Sequence, residues 1–265
     1  MPELPEVEIV RRRMHEAMAC RRIGQVTVHD EAILEGISST AIVLKLKGRS
    51  VEEVLRRGKQ LMCVLDDRSV LAVHLGMTGD VQVHDHPLEH RHLRFSMKIS
   101  NGTWVHFIDQ RKFGAVGHYM SQEALLAAKR LGPDALAISE KEFSGRVSSH
   151  RKAIKTTLLD QSVLAGVGNL YSDEMLFQCR IHPETKADSL SSRQLKCLHC
   201  AMLDILQRSI ENGSDFELLD NKYLLHDRRS GSKCPRCASV WTTVSVNGRT
   251  SFICPRCQKV ASPRS

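Results

Sequence analysis

The chain has 265 residues, 42% of them hydrophobic and 26% charged, so it is long enough for two domains and too apolar for wholesale disorder. Lys and Arg outnumber Asp and Glu by 38 to 30, which gives a net charge of +8. Residues 228–265 hold eight basic and no acidic residues, so they carry the whole excess. This concentration favours nucleic acid over a membrane as a partner, with a solubilising tail as the alternative.

The sequence has no stretch that approaches the roughly 18 consecutive apolar residues of a membrane span. Its first residues are acidic and lack the hydrophobic centre of a signal peptide. We therefore expect a cytoplasmic protein, and we also expect it to be a monomer that is associated with the nucleoid through its nucleic-acid partner. Nine cysteines, an odd number, argue against a disulfide framework.

The first predicted element is a helix that begins near Pro5, a residue suited to a first helical turn. Its apolar residues recur at spacings of three and four and form one face. These residues are Val7, Val10, Met14 and Met18. One helix therefore precedes the strands.

Short apolar segments with turn residues between them fill residues 24–119 and predict β-strands. The dipeptide Asn101-Gly102 follows one of them and indicates a tight hairpin turn. Consecutive strands without long helices between them favour an antiparallel β-sandwich. The predicted strands are 26–29, 41–46, 60–65, 70–75 and 93–99.

From residue 121 the apolar pattern takes a helical period. Ser139 with Glu142, and Ser191 with Gln194, fit the capping-box pattern of helix starts. A glycine-rich turn at 165–168 separates two helices, as in a helix-turn-helix variant. The predicted helices are 121–130, 155–161, 169–178 and 191–211.

Two Cys-Pro-Arg-Cys knuckles separated by sixteen residues follow in the basic C-terminal part. Four thiolates at this spacing match the tetrahedral coordination of Zn²⁺. Residues 242–253 between the knuckles predict a hairpin with Asn247-Gly248 at its turn and Arg249 at its tip. A closed site of this kind predicts one zinc ion that folds the segment rather than catalyses a reaction. The predicted ligands are Cys234, Cys237, Cys254 and Cys257.

The other five cysteines fit buried structural thiols better than metal ligands. Cys197 and Cys200 are spaced like a knuckle, but they lie in an apolar helical pattern with no second knuckle nearby. Cys20, Cys63 and Cys179 receive the same interpretation. We therefore assign no metal to these positions.

Together these elements predict an α+β multidomain fold. Residues 1–120 would hold the helix and the antiparallel β-sandwich, residues 121–230 a helical domain, and residues 231–265 the zinc ribbon. Six of the eight excess basic residues then lie in the ribbon.

The start of the chain offers a nucleophile. Removal of Met1, which is usual before a small residue, would leave Pro2 with a free secondary amine. An α-amino group titrates at about 7.7–8.0, below lysine at about 10.4, so much more of it is unprotonated at neutral pH. Such an amine can attack an electrophilic sugar carbon and form an iminium adduct, and the adjacent Glu3 could move protons. From these residues alone, a plain helix entry is the better interpretation.

Six motifs, in order over residues 2–257, resemble those of formamidopyrimidine-DNA glycosylases, the family shared with endonuclease VIII. The motif at residues 56–59 resembles the family's strand-borne lysine motif, and the motif at residues 165–183 resembles its helix–two-turn–helix. The motifs are Met1-Pro-Glu-Leu-Pro-Glu-Val-Glu8, Arg56-Arg-Gly-Lys59, His74-Leu-Gly-Met77-Thr-Gly79, Asp109-Gln-Arg111-Lys-Phe113-Gly114, Ala165-Gly-Val-Gly-Asn169-Leu-Tyr171 with Ile181-His-Pro183, and the zinc ribbon.

The resemblance implies a bifunctional DNA glycosylase and AP lyase of base excision repair, which acts on double-stranded damaged DNA. By the family pattern, Pro2 attacks C1′ of a flipped nucleotide and Glu3 donates or relays a proton. Lys59 would assist β-elimination, and Arg249 would assist δ-elimination or hold a phosphate.

The resemblance also implies residues that hold the bent DNA. Met77, Arg111 and Phe113 match the wedge residues that fill the gap left by the flipped nucleotide. Without their motifs, they would be interpreted as core or surface residues, and Asn169 as a helix cap. The other implied DNA-binding residues are His74, His90, His150, Arg151, Lys152 and Asn169.

Two departures from the family pattern concern the lesion. Gln110 and Lys112 stand where Pro and Arg are typical, and lysine offers a point charge instead of a fork of donors. Residues 213–233 are shorter than the family's base-covering region and carry Asp227-Arg-Arg229 in place of Tyr-Gly-Arg. Oxidised pyrimidines, ring-opened purines and unusual lesions therefore stand beside 8-oxoguanine as candidates.

Two further functions stand as alternatives. A non-catalytic damaged-DNA-binding protein could use the same scaffold, and retention of Met1 would favour it because the amine would be blocked. An RNA-binding zinc-ribbon protein would leave the N-terminal motif unexplained.

Overall fold

The computed structural model describes residues 2–259, so Met1 and the last six residues of the predicted ribbon domain lie outside the described residues. The chain divides between residues 130 and 131 into two compact units. The helices are α1 (Leu4–Met18), α2 (Ser39–Leu46), α3 (Gln122–Ala128), α4 (Glu140–Ser148), α5 (Ile154–Leu158), α6 (Asn169–Gln178) and α7 (Ser192–Glu211). The strands are β1 (Arg21–Val28), β2 (Leu34–Glu35), β3 (Ser50–Arg57), β4 (Gln60–Leu65), β5 (Val70–His74), β6 (Gly79–His84), β7 (Leu93–Ile99), β8 (Trp104–Asp109), β9 (Ala115–Tyr119), β10 (Thr242–Val246) and β11 (Arg249–Ile253).

The strands of the first unit follow the order β2-β9-β5-β4-β3-β1-β7-β8-β6. Strand β1 belongs to both halves of this sheet, because it pairs with β3 at its start and with β7 after a register shift between Ile23 and Gln25. Side chains from both halves, such as Leu71 of β5 and Phe107 of β8, meet in one core. The predicted antiparallel β-sandwich is confirmed, with one parallel pair formed by β2 and β9.

Helix α1 covers part of this core. The four apolar residues that predicted the helix are all buried, and the helix packs against β3, β4 and β6. Pro5 lies in its first turn, as its missing N–H allows. The residues before α1 are therefore joined to a helix that packs on the sandwich.

Residues 41–46 form most of helix α2, so the predicted strand there is wrong. Ser38 caps the helix by accepting a hydrogen bond from the Ala41 N–H at 3.3 Å. Ile42 and Leu46, four residues apart, are buried, whereas Leu44 is 75% exposed. A short apolar run fits both a strand and a helix, and here the one-sided burial and the cap select the helix.

The Asn101-Gly102 turn joins β7 to β8, as the sequence predicts. Sequence reasoning missed β2, which is two residues long, and the longer strands β3, β6 and β9. Glutamates on the exposed face of β3 and glycines in β6 and β9 weaken the apolar alternation that identifies a strand.

In the second unit, α7 packs against α4 and α6. Both predicted helix starts are confirmed: Ser139 accepts from the Glu142 N–H at 3.2 Å, and Ser191 and Gln194 form a reciprocal capping box. Among the described residues, no helix has the length and apolarity needed to cross a membrane.

Cys179 and Cys197 form a disulfide bond between the end of α6 and α7, so the prediction of free thiols is wrong at these positions. The two residues are 18 positions apart and meet only because α6 packs on α7, which spacing alone does not reveal. Cys20 and Cys200 are exposed, against the prediction of buried thiols. Cys63 is buried as predicted, and burial raises the pKa of its thiol to about 12.

We expect Cys179→Ser to lower the thermal midpoint of the helical unit by roughly 10 °C, because opening a loop of this length costs about 3 kcal/mol in the chain-entropy account. Thermal unfolding of protein purified without reductant measures the shift. Cys200→Ser is the matched control, since Cys200 is an exposed free thiol one helical turn from Cys197. Equal midpoints for wild type and Cys179→Ser would contradict a bond that stabilises the fold.

Candidate functional site

The chain enters α1 through a fixed turn. Glu3 is the N-cap residue and only 1% exposed, while Pro2 before it is half-buried. The Glu3 N–H donates to Oε2 of Glu6 at 2.7 Å, and the Glu3 carboxylate accepts from the Glu6 N–H in return. Sequence reasoning missed this capping box, which the spacing Glu-x-x-Glu could have indicated.

Glu8 connects α1 to the turn that carries Lys59. Its carboxylate accepts from Arg56 Nε at 3.1 Å, and Arg56 Nη1 donates to the Gly58 carbonyl at 3.0 Å. Burial opposes ionisation of Glu8, but the hydrogen bonds from Arg11 and Arg56 outweigh it, so its pKa is lowered. Lys59 is half-buried and lies in the two-residue turn between β3 and β4. The expectation that this lysine lies on a strand is therefore wrong, because β3 ends two residues before it.

His74 ends β5 opposite Gln60, the residue after Lys59. Burial is the main cause that lowers its pKa, and the nearby charge of Lys59 adds to it. The Gly76 N–H donates to His74 Nδ1 at 3.1 Å, which requires an unprotonated Nδ1. The histidine is therefore neutral at pH 7 and shapes the loop that follows it.

The three predicted wedge residues lie on two loops of the first unit. Met77 is 38% exposed and Phe113 is 55% exposed, although both are large and apolar. The Arg111 guanidinium carbon lies 4.7 Å from the centre of the Phe113 ring. Exposed apolar side chains next to a cation suit insertion between bases.

Lys112, where the family pattern has an arginine, forms an ion pair with Asp30 at 2.8 Å. The hydrogen bond from Lys112 is the largest cause that lowers the pKa of Asp30. Lys112 also adopts a left-handed backbone conformation, with φ of +56°. Its charge thus has a partner within the protein.

Two of the predicted DNA-binding histidines lie on exposed or half-exposed connections. His90 is exposed, and its Nδ1 accepts from the His92 N–H at 3.2 Å. His150 follows α4, and its Nδ1 lies 2.9 Å from the Arg146 carbonyl. Arg151 is exposed, whereas Lys152 forms an ion pair with Asp160 at 2.7 Å.

Asn169 is the first residue of α6, and Gly168 is the N-cap, so the alternative that Asn169 caps the helix is wrong. Its Nδ2 donates to the Thr250 carbonyl at 3.2 Å, which ties the start of α6 to β11 of the ribbon. Its Oδ1 is buried. Asn169 therefore fixes the glycine-rich turn against the residue next to Arg249.

Asp173 is the centre of a buried polar cluster that sequence reasoning missed. It is 1% exposed and accepts from Lys155 Nζ at 2.5 Å, Arg228 Nη2 at 2.6 Å and the Phe252 N–H at 3.1 Å. Lys155 is fully buried, so removal of the carboxylate would leave a buried charge without this partner. No spacing signals this cluster, because its members come from α5, α6, β11 and the segment after α7.

A cavity of about 540 Å³ lies beside this cluster, lined by Leu170 and by residues 216–217 and 225–229. The Arg228 guanidinium in its wall lies 4.5 Å from the centre of the Phe252 ring. Glu174 holds another part of the wall, because its Oε2 accepts from the Leu225 N–H at 2.8 Å. Burial raises the pKa of Glu174 to about 7. The shortened segment 213–233 thus forms one side of an open, polar-rimmed cavity.

The four knuckle cysteines of the ribbon lie with their sulfur atoms within 4.8 Å of one another. Three of the Sγ–Sγ distances are 3.4, 3.6 and 4.0 Å. Tetrahedral Zn²⁺ with bonds of about 2.3 Å requires separations of about 3.8 Å, so the residues fit the ion. Four protein sulfurs complete the coordination, which makes the site structural.

Arg249 is the first residue of β11, directly after the Asn247-Gly248 turn, and it is exposed. The hairpin has the register that the sequence predicts, with Val246 opposite Arg249. Each unit therefore gathers its own set of predicted residues. The first contains Pro2, Glu3, Lys59, His74, Met77, His90, Arg111 and Phe113; the second contains His150, Arg151, Lys152, Asn169, Arg249 and the four zinc ligands.

Three family comparisons cover most of the chain. Residues 1–116 match the formamidopyrimidine-DNA glycosylase N-terminal domain, and residues 131–218 match the corresponding H2TH domain. Residues 231–260 match the zinc finger found in FPG and IleRS. The last match and the four-thiol cluster confirm the predicted structural zinc ion.

Whole proteins and solved structures agree with these matches. The chain is 36% identical to formamidopyrimidine-DNA glycosylase of Pelotomaculum thermopropionicum, over 98% of this chain and 100% of the relative. It is 34% identical to the enzyme of the same name from Exiguobacterium sibiricum, with the same coverage. The structure of the Lactococcus lactis glycosylase with DNA that contains FAPY-dG aligns at a TM-score of 0.86 with 30% identity, over 97% of this chain and 100% of that one.

Proposed function

Because this chain belongs to the formamidopyrimidine-DNA glycosylase family and is a DNA-repair glycosylase, we propose that it excises a damaged base through an iminium formed by Pro2. The partner in this proposal is damaged double-stranded DNA, bound by one protein molecule. A half-buried Pro2 held next to the buried, doubly capped Glu3 is the observation that carries the proposal. The cap fixes the Glu3 backbone to which Pro2 is joined, so the point from which the amine extends is set before DNA binds.

The proposed reaction begins when the Pro2 nitrogen lone pair forms a bond to C1′ of the flipped nucleotide. The C1′–N bond to the base breaks, and the base leaves with that electron pair and a proton relayed through Glu3. The Pro2 nitrogen then loses its proton, its electron pair forms a double bond to C1′, and the C1′–O4′ bond breaks with the oxygen taking up a proton, which gives the iminium.

The iminium acidifies the C2′ proton, because the electrons left behind can move toward the positive nitrogen. Loss of this proton to a base, with Lys59 assisting, breaks the C3′–O bond and releases the 3′ phosphate. A second elimination, with loss of the C4′ proton, breaks the C5′–O bond, and the Arg249 guanidinium binds the departing 5′ phosphate. Hydrolysis frees Pro2.

In this proposal the cavity beside Asp173 accepts the flipped base. Its volume of about 540 Å³ exceeds that of a single base, and its rim presents Arg228, His226 and Glu217 to the base edges. A rim with both donors and acceptors suits oxidised or ring-opened bases, which carry added carbonyl and amide groups. The short segment 213–233 leaves room for substituents that a longer cover would exclude.

Borohydride trapping tests the proposal, because reduction of the iminium fixes protein to DNA covalently. We expect wild-type protein to form a trapped complex with abasic duplex DNA and with duplexes that contain 8-oxoguanine, a formamidopyrimidine or an oxidised pyrimidine. Intact-mass analysis of the same preparation establishes whether Met1 is absent. Tight binding to these duplexes with no trapping by Met1-free protein would contradict the proposal and favour the non-catalytic damaged-DNA-binding alternative.

A further inference from the structure

Two loops of the first unit carry the wedge residues and are in direct backbone contact. One loop runs between β5 and β6 and carries Met77; the other runs between β8 and β9 and carries Arg111 and Phe113. At Gly76, φ is +64°, and an added Cβ would lie 2.4 Å from the carbonyl carbon of Phe113. Only glycine permits this approach, so the two loops lie in direct contact at Gly76.

Asp109, the last residue of β8, accepts hydrogen bonds from both loops. It is fully buried, and its Oδ1 accepts from the Thr78 hydroxyl at 2.5 Å and from the Arg111 N–H at 3.1 Å. Its Oδ2 accepts from the Gly114 N–H at 2.7 Å. The single carboxylate of Asp109 therefore contacts Thr78 in one loop and both Arg111 and Gly114 in the other.

Thr78 completes the connection. Its Oγ1 donates to Asp109 and also accepts from the Arg111 N–H at 3.1 Å, so one hydroxyl bridges the two loops. The bonds to a carboxylate are charge-assisted and are shorter and stronger than neutral ones. On the other side, Arg94 Nε donates to the Asp109 carbonyl at 2.8 Å and keeps the end of β8 in place.

We propose that Thr78 and Asp109 are positioning residues that set Met77, Arg111 and Phe113 as one wedge. This inference rests on the proposed function only in taking these three side chains as the groups that enter the duplex. A wedge must replace lost stacking while the bases on either side resist separation, so its three parts must arrive together. Without the bridge, each loop would still fold on its own strand ends, but the wedge would insert incompletely.

Thr78→Val tests the clamp, because valine keeps the shape of threonine and removes the hydroxyl. Thr78→Ser retains the hydroxyl and should restore function. Thr103→Val is the matched control: Thr103 lies in the β7–β8 turn, at the opposite end of β8 from Asp109. Thermal midpoints of all three variants establish that each is folded under the assay conditions.

The first readout does not depend on the chemistry. A duplex with an uncleavable abasic analogue and 2-aminopurine opposite it reports unstacking by the wedge as increased fluorescence at saturating protein. We expect Thr78→Val to reach less than half of the wild-type increase, and Thr78→Ser and Thr103→Val to match wild type. A wild-type increase with folded Thr78→Val would overturn the clamp, whatever the trapping assay gives.

The second readout compares substrates. On a lesion in duplex DNA, we expect Thr78→Val to lower the single-turnover rate on the order of tenfold to a hundredfold, since misplacement by about 1 Å has such an effect. On a single-stranded abasic oligonucleotide, which needs no wedge, its trapping should equal that of wild type. An equal loss on both substrates would overturn the positioning role. Absence of trapping by wild type together with the expected fluorescence pattern would instead refute the Pro2 chemistry and leave the clamp supported.

Discussion

Replacing Pro2 by glycine is expected to lower both base excision and borohydride trapping on duplex DNA by roughly a hundredfold or more. Glycine keeps an amine at the chain start, but this amine is primary and lacks the ring that prevents rotation about the N–Cα bond. The Glu3–Glu6 capping box ends at the Glu3 N–H, so nothing in that box restrains residue 2 itself. The proline ring is therefore the part that directs the nitrogen lone pair, and the lone pair of a freely rotating glycine amine would spend little time in line with C1′.

Single-turnover excision and trapping measure this effect, with intact mass confirming that each preparation lacks Met1. Pro87→Gly is the matched control, because Pro87 lies in the exposed loop after β6 and is not one of the proposed catalytic residues. The thermal midpoint of Pro2→Gly should stay near that of wild type, since Pro2 precedes the first residue of α1. Wild-type trapping by Pro2→Gly, with the adduct mapped to Lys59, would assign the nucleophile to another amine.

The features that sequence predicted correctly are those fixed by residues close together in the chain. The Asn101-Gly102 and Asn247-Gly248 turns, the Ser191–Gln194 cap and the cysteine knuckles each depend on a few neighbouring positions. Their conformations follow from local sterics and hydrogen bonding, which short patterns encode directly. The motifs that carry the proposed site residues are local in the same sense, and the roles of those residues stay predictions.

The features that sequence missed depend on which elements pack together. The Cys179–Cys197 bond requires α6 to lie on α7, and the Asp173 cluster gathers cations from segments about 18 and 55 residues away. Charged residues such as Lys155 look like a solvated face in any one-dimensional pattern, since only tertiary structure reveals that they are buried as a pair. Helix α2 is a smaller example of the same limit. Its apolar run fits a strand or a helix, and only the burial of one side of the segment in the folded protein selects the helix.

Removal of zinc is expected to unfold the ribbon and to weaken duplex binding by at least tenfold. Binding of a structural zinc ion contributes about 10–16 kcal/mol in isolated zinc-finger peptides, which is more than so small a core can supply. The folded ribbon contacts α6 along its length: Asn169 donates to Thr250 O, Phe252 N–H donates to Asp173, and Arg236 Nη1 donates to the Phe177 carbonyl at 2.6 Å. Unfolding would thus displace Arg249 and also release the start of α6.

The loss should extend to lesion recognition. Arg228, in the cavity wall, stacks on Phe252 of the ribbon and would keep only its ion pair with Asp173. Cys254→Ser, at a fully buried ligand, should therefore lower affinity for all duplexes and narrow the difference between damaged and undamaged DNA. Cys200→Ser is the matched control, since Cys200 is an exposed thiol that does not belong to the four-cysteine zinc cluster. Zinc content, protease sensitivity of residues 231–259 and binding to damaged and undamaged duplexes should all change in Cys254→Ser and stay unchanged in Cys200→Ser. If zinc-free protein still distinguished damaged from undamaged DNA as well as wild type does, α6 and Asp173 would hold the cavity wall without the ribbon.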